Sequence, residues 1–198
     1  MNLQTQSTQS PPLIKVQAAT AAEVCQTVYI DKQAKKLLRP EMTPREFVEA
    51  LMEKQQYMAA VDFMAHALPV RETIWWACLC LQHTCGDKLV PWEKAAAKAA
   101  ARWVLQPTEE NRIAAKHPAE VLGLTSPAGA LAAAVDQTGG SIAPPNAPPM
   151  PPSPFAPARA VAISIKLAST KVEPVKIQAT QKGLVELGIG VAEGRFAI

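Results

Sequence analysis

The sequence predicts an all-α protein, folded as an irregular antiparallel helical bundle or a stack of helical hairpins. Helix-start signals recur along the chain, with a serine or threonine ahead of proline or acidic residues. Apolar residues after each signal repeat every three or four positions, which is the spacing of a helix. Only short breaks separate these segments, which favours antiparallel contacts between successive helices.

Four regions are predicted from the composition along the 198 residues. Residues 1–18 lack a strong periodic pattern and are expected to form an extended arm. Residues 19–142 carry most of the helical patterns and form the main domain. Residues 143–157 are expected to be a Pro-rich linker or strap, because their eight prolines exclude a helix or a central strand. Residues 158–198 are expected to add C-terminal helices that pack on the domain.

The first predicted helix begins at Thr20, where Glu23 completes a capping box, and it ends at Pro40. The run Thr43-Pro44-Arg45-Glu46 is a stronger start, because proline presets the backbone while Thr and Glu cap it. A break is expected near residues 54–56. Further helices are predicted over residues 57–68, 74–86, 92–105, 108–123, 126–139, 158–169 and 174–193. Three glycines and the β-branched residues of 171–178 weaken the last helix, and a short strand over 175–177 is the alternative.

Composition argues against several classes of function. The net charge of +3 is small and the basic residues are scattered, so nucleic-acid binding is not predicted. No apolar run reaches the ~18 residues that span a bilayer. The first ten residues lack the charged and apolar regions of a signal peptide, so we expect a cytoplasmic protein with reduced thiols. Phosphate-binding loops and hydrolase motifs are missing from the sequence, and neither a cofactor nor a catalytic residue is predicted.

Cys78, Cys80, His83 and Cys85 form a C-x-C-x-x-H-x-C pattern that suggests zinc. The segment has a helical pattern, however, and on a helix Cys80 points roughly 160° away from Cys78. Tetrahedral zinc sites take their ligands more easily from turns than from one helix. We therefore interpret these residues as buried thiols and keep a zinc-binding module as an alternative.

Five residues are predicted to contact a protein partner: His66, Arg71, Glu72, Trp75 and Trp76. Tryptophan and arginine dominate the energetics of protein interfaces. Two adjacent tryptophans on a helix cannot both face one core, so one ring is expected between elements or at the surface. An alternative hypothesis makes His66 the centre of a small enzyme or toxin-neutralising site together with Glu72 and Arg71.

The run from residue 40 to about 195 resembles an uncharacterised bacterial family, the domain of unknown function numbered 6931. The matching positions are Arg45, Glu49, His66, Leu68, Pro69, Arg71, Glu72, Trp75 and Trp76, followed by Trp103 and the run Pro107-Thr108-Glu109-Glu110-Asn111-Arg112. The resemblance implies an all-α protein found near genes of secretion and envelope machinery, and it assigns no activity. Residues 171–178 depart from the family pattern, because they are more β-branched.

These observations favour a non-enzymatic helical adaptor or accessory protein that binds a larger protein. The resemblance points to a component of a bacterial secretion system, such as the contractile type VI apparatus, as that partner. The oligomeric state is left open by the sequence.

Overall fold

A computed structural model of the chain describes residues 11–143 and 146–198, apart from the side chain of Asp87. Within these ranges the predicted all-α class is confirmed, with ten α-helices, two 3₁₀ turns and no strand. The helices are α1 Ala21–Cys25, α2 Lys32–Lys35, α3 Pro44–Glu53, α4 Tyr57–Ala67, α5 Val70–Thr84, α6 Pro91–Leu105, α7 Glu109–Leu122, α8 Pro127–Asp136, α9 Ala156–Ser169 and α10 Ile177–Ala192. None of these helices has both the length and the apolar content that crossing a bilayer requires. The first ten residues of the predicted arm and two strap prolines, 144 and 145, lie outside the described residues.

The single helix predicted from Thr20 to Pro40 is wrong, because the chain forms α1 and α2 with an irregular segment between them. Thr27 follows α1 and donates its hydroxyl proton to the carbonyl oxygen of Val24 at 2.8 Å, in competition with helical hydrogen bonding. The next residues, Val28-Tyr29-Ile30, are β-branched or aromatic and lose side-chain freedom in a helix. Asp31 then caps α2 by accepting hydrogen bonds from two backbone amides, at 2.8 and 3.0 Å.

The capping box predicted at Thr43 is confirmed at the start of α3. Thr43 Oγ1 accepts a hydrogen bond from the amide of Glu46 at 3.2 Å, and the Glu46 carboxylate accepts one from the amide of Thr43 at 2.8 Å. The chain reverses into α4 at Gln55, which has a left-handed φ of 56°. Phe47 of α3 and Phe63 of α4 pack edge to face with their ring centroids 4.9 Å apart. These two fully buried rings join the hairpin to the core.

Helix α8 occupies the centre of the bundle. Every residue from Pro127 to Val135 is buried, and α8 packs against α5, α6, α7 and α9. Alanine and glycine predominate in α8, so its neighbours approach closely. A Cβ placed on Gly129 would lie 2.2 Å from the carbonyl oxygen of Gly123, so the start of α8 meets the end of α7 backbone to backbone.

Arg112 connects the first turn of α7 to the end of α8. Its guanidinium donates two hydrogen bonds of 2.7 Å to the carboxylate of Glu109, and these bonds lower the pKa of Glu109. Two further bonds of 2.9 Å reach the carboxylate and the carbonyl oxygen of Asp136. Gly140 lies against the same group: its φ is +74° and an added Cβ would lie 2.7 Å from Nη2 of Arg112. Close approach and a left-handed backbone both favour glycine here.

The C-terminal residues pack on the remaining helices through α9 and α10. Helix α9 lies against α8, α5 and α4, while α10 lies against α5 and α4. Ser164 of α9 donates to the carbonyl oxygen of Pro127 at 2.8 Å. The strand considered for residues 175–177 is wrong, because Pro174–Lys176 form a 3₁₀ turn that leads directly into α10. Proline and the following helix override the β-branched composition of this segment.

The described part of the Pro-rich segment lies across the end of the bundle where α5 begins and where α6 and α8 end. The amide of Ile142 donates to the carbonyl oxygen of Met150 at 2.8 Å, which closes a loop in the segment. Residues 151–154 then line a cavity of about 350 Å³ together with Val70 and Trp103. The prolines at this end of the bundle therefore lie beside a large aromatic ring of α6.

The described residues of the N-terminal arm contact the start of one helix and the end of another. The amide of Lys15 donates to the carbonyl oxygen of Ala192, at the end of α10, over 2.9 Å. Arg45 in the first turn of α3 donates through Nε to the carbonyl oxygen of Pro11 at 2.9 Å, and its guanidinium also pairs with Glu193. The arm thus joins α3 to the C-terminal end of α10.

Candidate functional site

Trp76 of α5 belongs to the core rather than to a surface. The ring is fully buried, and its Nε1 donates to the carbonyl oxygen of Leu184 in α10 at 2.8 Å. It packs so closely against Gly188 that an added Cβ would lie 2.6 Å from Cε2 of the ring. The predicted contact of Trp76 with a partner does not fit this position, because none of the ring is accessible.

The other predicted partner-binding residues of α5 take part in contacts within the chain. Trp75 is half-buried, and its Nε1 donates to a backbone carbonyl of the C-terminal tail at 3.1 Å. Glu72 faces the ammonium group of Lys15 at 3.6 Å. Arg71 donates through Nε to the carbonyl oxygen of Val104 at 2.7 Å. A partner that bound this face would compete with these contacts, and its binding here stays a prediction.

Of the cysteines predicted to be buried, Cys80 of α5 is fully buried, whereas Cys78 and Cys85 are only partly buried. Burial raises the pKa of Cys78 to about 12 and that of Cys80 well above its ordinary value. Both groups are therefore protonated at neutral pH, whereas zinc binds the thiolate form. In the part of the chain that the structure describes, no three Cys, His, Asp or Glu side chains are grouped to hold a metal ion. The zinc alternative gains no support from this geometry.

His66 lies in the last turn of α4, beside the irregular segment after α1. Its Nδ1 is 3.2 Å from Oγ1 of Thr27. Because Thr27 gives its only hydroxyl proton to Val24, the His66 Nδ1 must carry a proton and donate it to Thr27. Nε2 is therefore left as an acceptor in the neutral ring. Phe155 stacks on the other side, with ring centroids 5.7 Å apart and an interplanar angle of 23°.

A cavity of about 540 Å³ opens beside His66, between α4, α9 and the segment after α1. Its lining consists of Thr27, Val28, Tyr29, Asp62, His66, Arg159, Ala162, Ile163 and Lys166. Asp62 and Lys166 form a salt bridge in which Nζ lies 2.6 Å from each carboxylate oxygen. Burial raises the pKa of Asp62, and Lys166 acts in the opposite direction. Neither Glu72 nor Arg71 lines this cavity, so the structure does not assemble the predicted trio around His66.

The protonation of His66 makes the stability of the fold depend on pH. Burial, assisted by the positive charge of Arg159, lowers the pKa of His66 from 6.5 to about 4. Between these values the unfolded chain binds a proton at His66 that the folded chain does not, so the free energy of unfolding falls as pH decreases. We expect the variant His66→Asn to show a smaller fall between about pH 7 and about pH 5 in urea titrations.

A matched control for this prediction is His117→Asn, at an exposed histidine of α7. This variant should keep the pH dependence of the wild-type chain. Asp62, Arg159 and Lys166 face the same cavity as His66 and are unchanged in both variants. Equal slopes for His66→Asn and the wild-type chain would contradict the pKa assigned to His66.

An exposed apolar surface lies at one end of the hairpin that α6 and α7 form. Trp92, in the first turn of α6, is 68% exposed, and Val90, Val121 and Leu124 are each about half exposed. The connection after α7 is held at this end, because Ser126 donates to the carboxylate of Glu93 at 3.1 Å. We call these four residues, Val90, Trp92, Val121 and Leu124, the Trp92 patch.

Most of the chain matches one family of proteins. The model of the family of unknown function DUF6931 matches residues 47–192, well over half of the chain. The chain belongs to this family. No curated protein and no solved structure matches it. The matched range begins within α3 and ends with α10, so it includes the Trp92 patch but not the Thr27 to Tyr29 wall of the His66 cavity.

Two features of the site were missed by sequence reasoning. Trp92 is not among the predicted partner-binding residues, yet it lies in the first turn of α6 and is 68% exposed. Arg159 was not singled out, although the spacing of Arg159, Ala162, Ile163 and Lys166 places all four on one face of α9. That helical spacing was the only available signal for the cavity.

Proposed function

We propose that this member of the DUF6931 family is a non-enzymatic helical adaptor that binds a larger protein through the Trp92 patch. The observation that supports it is the 68% exposure of Trp92 beside three further exposed apolar residues. Single exposed apolar residues are common on soluble proteins, whereas a group that contains tryptophan is typical of interfaces. The patch uses none of its side chains in the core, so a partner can cover it without disturbing the fold.

Charges of α6 favour a partner segment with acidic residues. Lys94 and Lys98 are exposed on α6, two and six residues after Trp92. The nearest carboxylate of α6, Glu93, already accepts hydrogen bonds from the amide of Val90 at 3.3 Å and from Ser126 at 3.1 Å. We therefore propose that the partner presents apolar side chains flanked by Asp or Glu, which would cover Trp92 and pair with the two lysines.

The finer identity of the partner rests on the family resemblance. Its expected association with secretion and envelope genes makes components of a bacterial secretion system, such as the contractile type VI apparatus, the first candidates. On this proposal the chain acts in the cytoplasm and carries out no chemistry itself. Support for a non-enzymatic role comes from His66, whose pKa of about 4 makes it a weak base near neutral pH and whose predicted companions lie elsewhere.

The proposal is tested by combining crosslinking with affinity measurement. A photo-crosslinking amino acid at position 92 identifies the partner in cells, and the same amino acid at position 105 serves as the control. The dissociation constant of the purified partner is then measured for the wild-type chain, Trp92→Ser and Leu105→Ser. We expect Trp92→Ser to weaken binding by about 30-fold or more, as for a central interface tryptophan.

Leu105 is a matched control because it is 64% exposed and lies at the other end of the same helix. Leu105→Ser should leave the affinity unchanged. Equal affinities of Trp92→Ser and the wild-type chain would exclude the Trp92 patch as the binding surface. If position 92 crosslinks only to a second copy of this chain, the patch is a self-association surface and the adaptor proposal is wrong.

A further inference from the structure

We propose that the cavity beside His66 binds a small organic monocarboxylate, with Arg159 pairing with the carboxylate and α9 contacting the apolar part. The cavity is separate from the Trp92 patch: its walls come from α4, α9 and the segment after α1, none of which carries a patch residue. Its volume of about 540 Å³ lies within the range of small-molecule sites in proteins, about 300–1,000 Å³.

The charges on the cavity wall leave one positive group for a ligand. Lys166 is already neutralised by Asp62, with both Nζ to oxygen distances at 2.6 Å. Arg159 forms no salt bridge with any acidic residue that the structure describes, and its Nη2 donates only to the hydroxyl of Ser153 at 3.1 Å. A guanidinium offers two parallel donors to a carboxylate, so one Arg159 matches a ligand of charge −1.

His66 does not add a second positive charge. Its neutral ring donates from Nδ1 to Thr27 and is stacked against Phe155, which fixes its orientation at the edge of the cavity. A ligand of charge −2, such as phosphate, would therefore face a single unpaired cation and the carboxylate of Asp62. A ligand with a single negative charge, such as a monocarboxylate, is the one whose charge this cavity wall neutralises.

The remaining lining is suited to the apolar part of the ligand. Val28, Ala162 and Ile163 contribute aliphatic surface, and Tyr29 stands at the rim with 84% of its surface exposed. Ala162 and Ile163 follow Arg159 by three and four residues, so they lie one turn along the same face of α9. A straight aliphatic chain attached to a carboxylate held by Arg159 can extend over these two side chains.

The test uses hexanoate as the probe, with hexanamide as the neutral molecule of nearly the same shape. Binding to the full chain is measured by calorimetry, and the methyl NMR signals of Val28 and Ile163 locate the ligand. We expect hexanoate to bind about tenfold or more tightly than hexanamide and to shift both methyl signals, because a charge-assisted hydrogen bond is lost in the amide. Inorganic phosphate should bind more weakly than hexanoate.

Arg159→Gln should remove the preference for hexanoate over hexanamide, while Arg102→Gln, at an exposed arginine of α6, should retain it. Ile163→Ser should weaken hexanoate and leave acetate unaffected, which tests the apolar wall independently of the charge. The proposal is overturned if hexanoate fails to bind or shifts neither methyl signal, if hexanamide or phosphate binds equally well, or if Arg159→Gln keeps the preference. None of these results depends on the partner of the Trp92 patch.

Discussion

Replacing Trp76 by alanine should reduce the free energy of unfolding by about 3–5 kcal/mol, the cost of removing a large, fully buried aromatic ring. The ring fills the contact between α5 and α10 and donates to the carbonyl oxygen of Leu184 at 2.8 Å. Gly188 of α10 lies directly against the ring. Because glycine has no side chain, it cannot fill the cavity that remains when the indole is removed. The measurement is urea unfolding followed by circular dichroism.

Trp75→Ala is the matched control, because it makes the same change of side chain at the preceding residue of α5. Trp75 is only half-buried and bonds to the C-terminal tail, so its removal should cost about 1 kcal/mol. The contact can also be approached from α10. Gly188→Ala should destabilise the chain by about 1–3 kcal/mol because its Cβ would meet the ring, whereas Gly183→Ala has open space and should stabilise slightly.

Equal losses for Trp76→Ala and Trp75→Ala would contradict the asymmetry of the pair. Equal effects of alanine at positions 183 and 188 would contradict the contact between α10 and the ring. The two glycines belong to the same helix, so intrinsic helix propensity contributes equally to both variants.

The tryptophan pair shows which parts of the fold can be predicted from local sequence and which cannot. The sequence predicts that only one ring can enter the core, because adjacent residues on a helix point about 100° apart. Which ring does so is decided by Leu184 and Gly188, more than a hundred residues later. Gly188, one of the glycines that weakened the prediction of α10, is thus required for its packing. A single sequence contains no signal that joins these positions.

Helix boundaries likewise divide into those that local sequence predicts and those that depend on distant residues. The start of α3 is predictable, because Thr43 and Glu46 satisfy each other's backbone within one turn. The break between α1 and α2 is not, since it depends on Thr27 donating to the carbonyl oxygen of Val24 and on His66, 39 residues away. The candidate cavity arises from this break, because the segment that leaves the helix supplies Thr27, Val28 and Tyr29 to its wall. Sequence reasoning could identify His66 as a residue of interest but not what surrounds it.

The acidic start of α7 shows how a local explanation can be incomplete. The positive end of the helix would by itself account for Glu109 and Glu110 in the first turn of α7. In the structure Glu109 also holds Arg112, which reaches Asp136 at the end of α8. Gly140 then needs a left-handed backbone and the absence of a side chain to pass over the guanidinium. Contacts with Arg112 thereby explain both Glu109 and Gly140, which are some thirty residues apart in the sequence.

Arg112→Met should accordingly destabilise the chain by about 2–3 kcal/mol. Removing one member of a buried charged group costs about 3–5 kcal/mol, and the lower figure applies because 63% of the Glu109 side chain is exposed and can regain water. The loss comes mainly from Asp136, whose carboxylate and carbonyl oxygen each lose a bond of 2.9 Å. Urea unfolding of the variant and of Arg102→Met, at an exposed arginine of α6, provides the measurement and its control.

The variant Arg112→Lys separates charge from geometry in this group. Lysine keeps the positive charge but cannot form the planar pair of bonds to Glu109 while also reaching Asp136, so it should recover less than half of the lost free energy. If Arg112→Lys were as stable as the wild-type chain, charge alone would account for the contact. If Arg112→Met matched Arg102→Met, the four hydrogen bonds would contribute nothing to the junction of α7 and α8, and the close approach of Gly140 would need another cause.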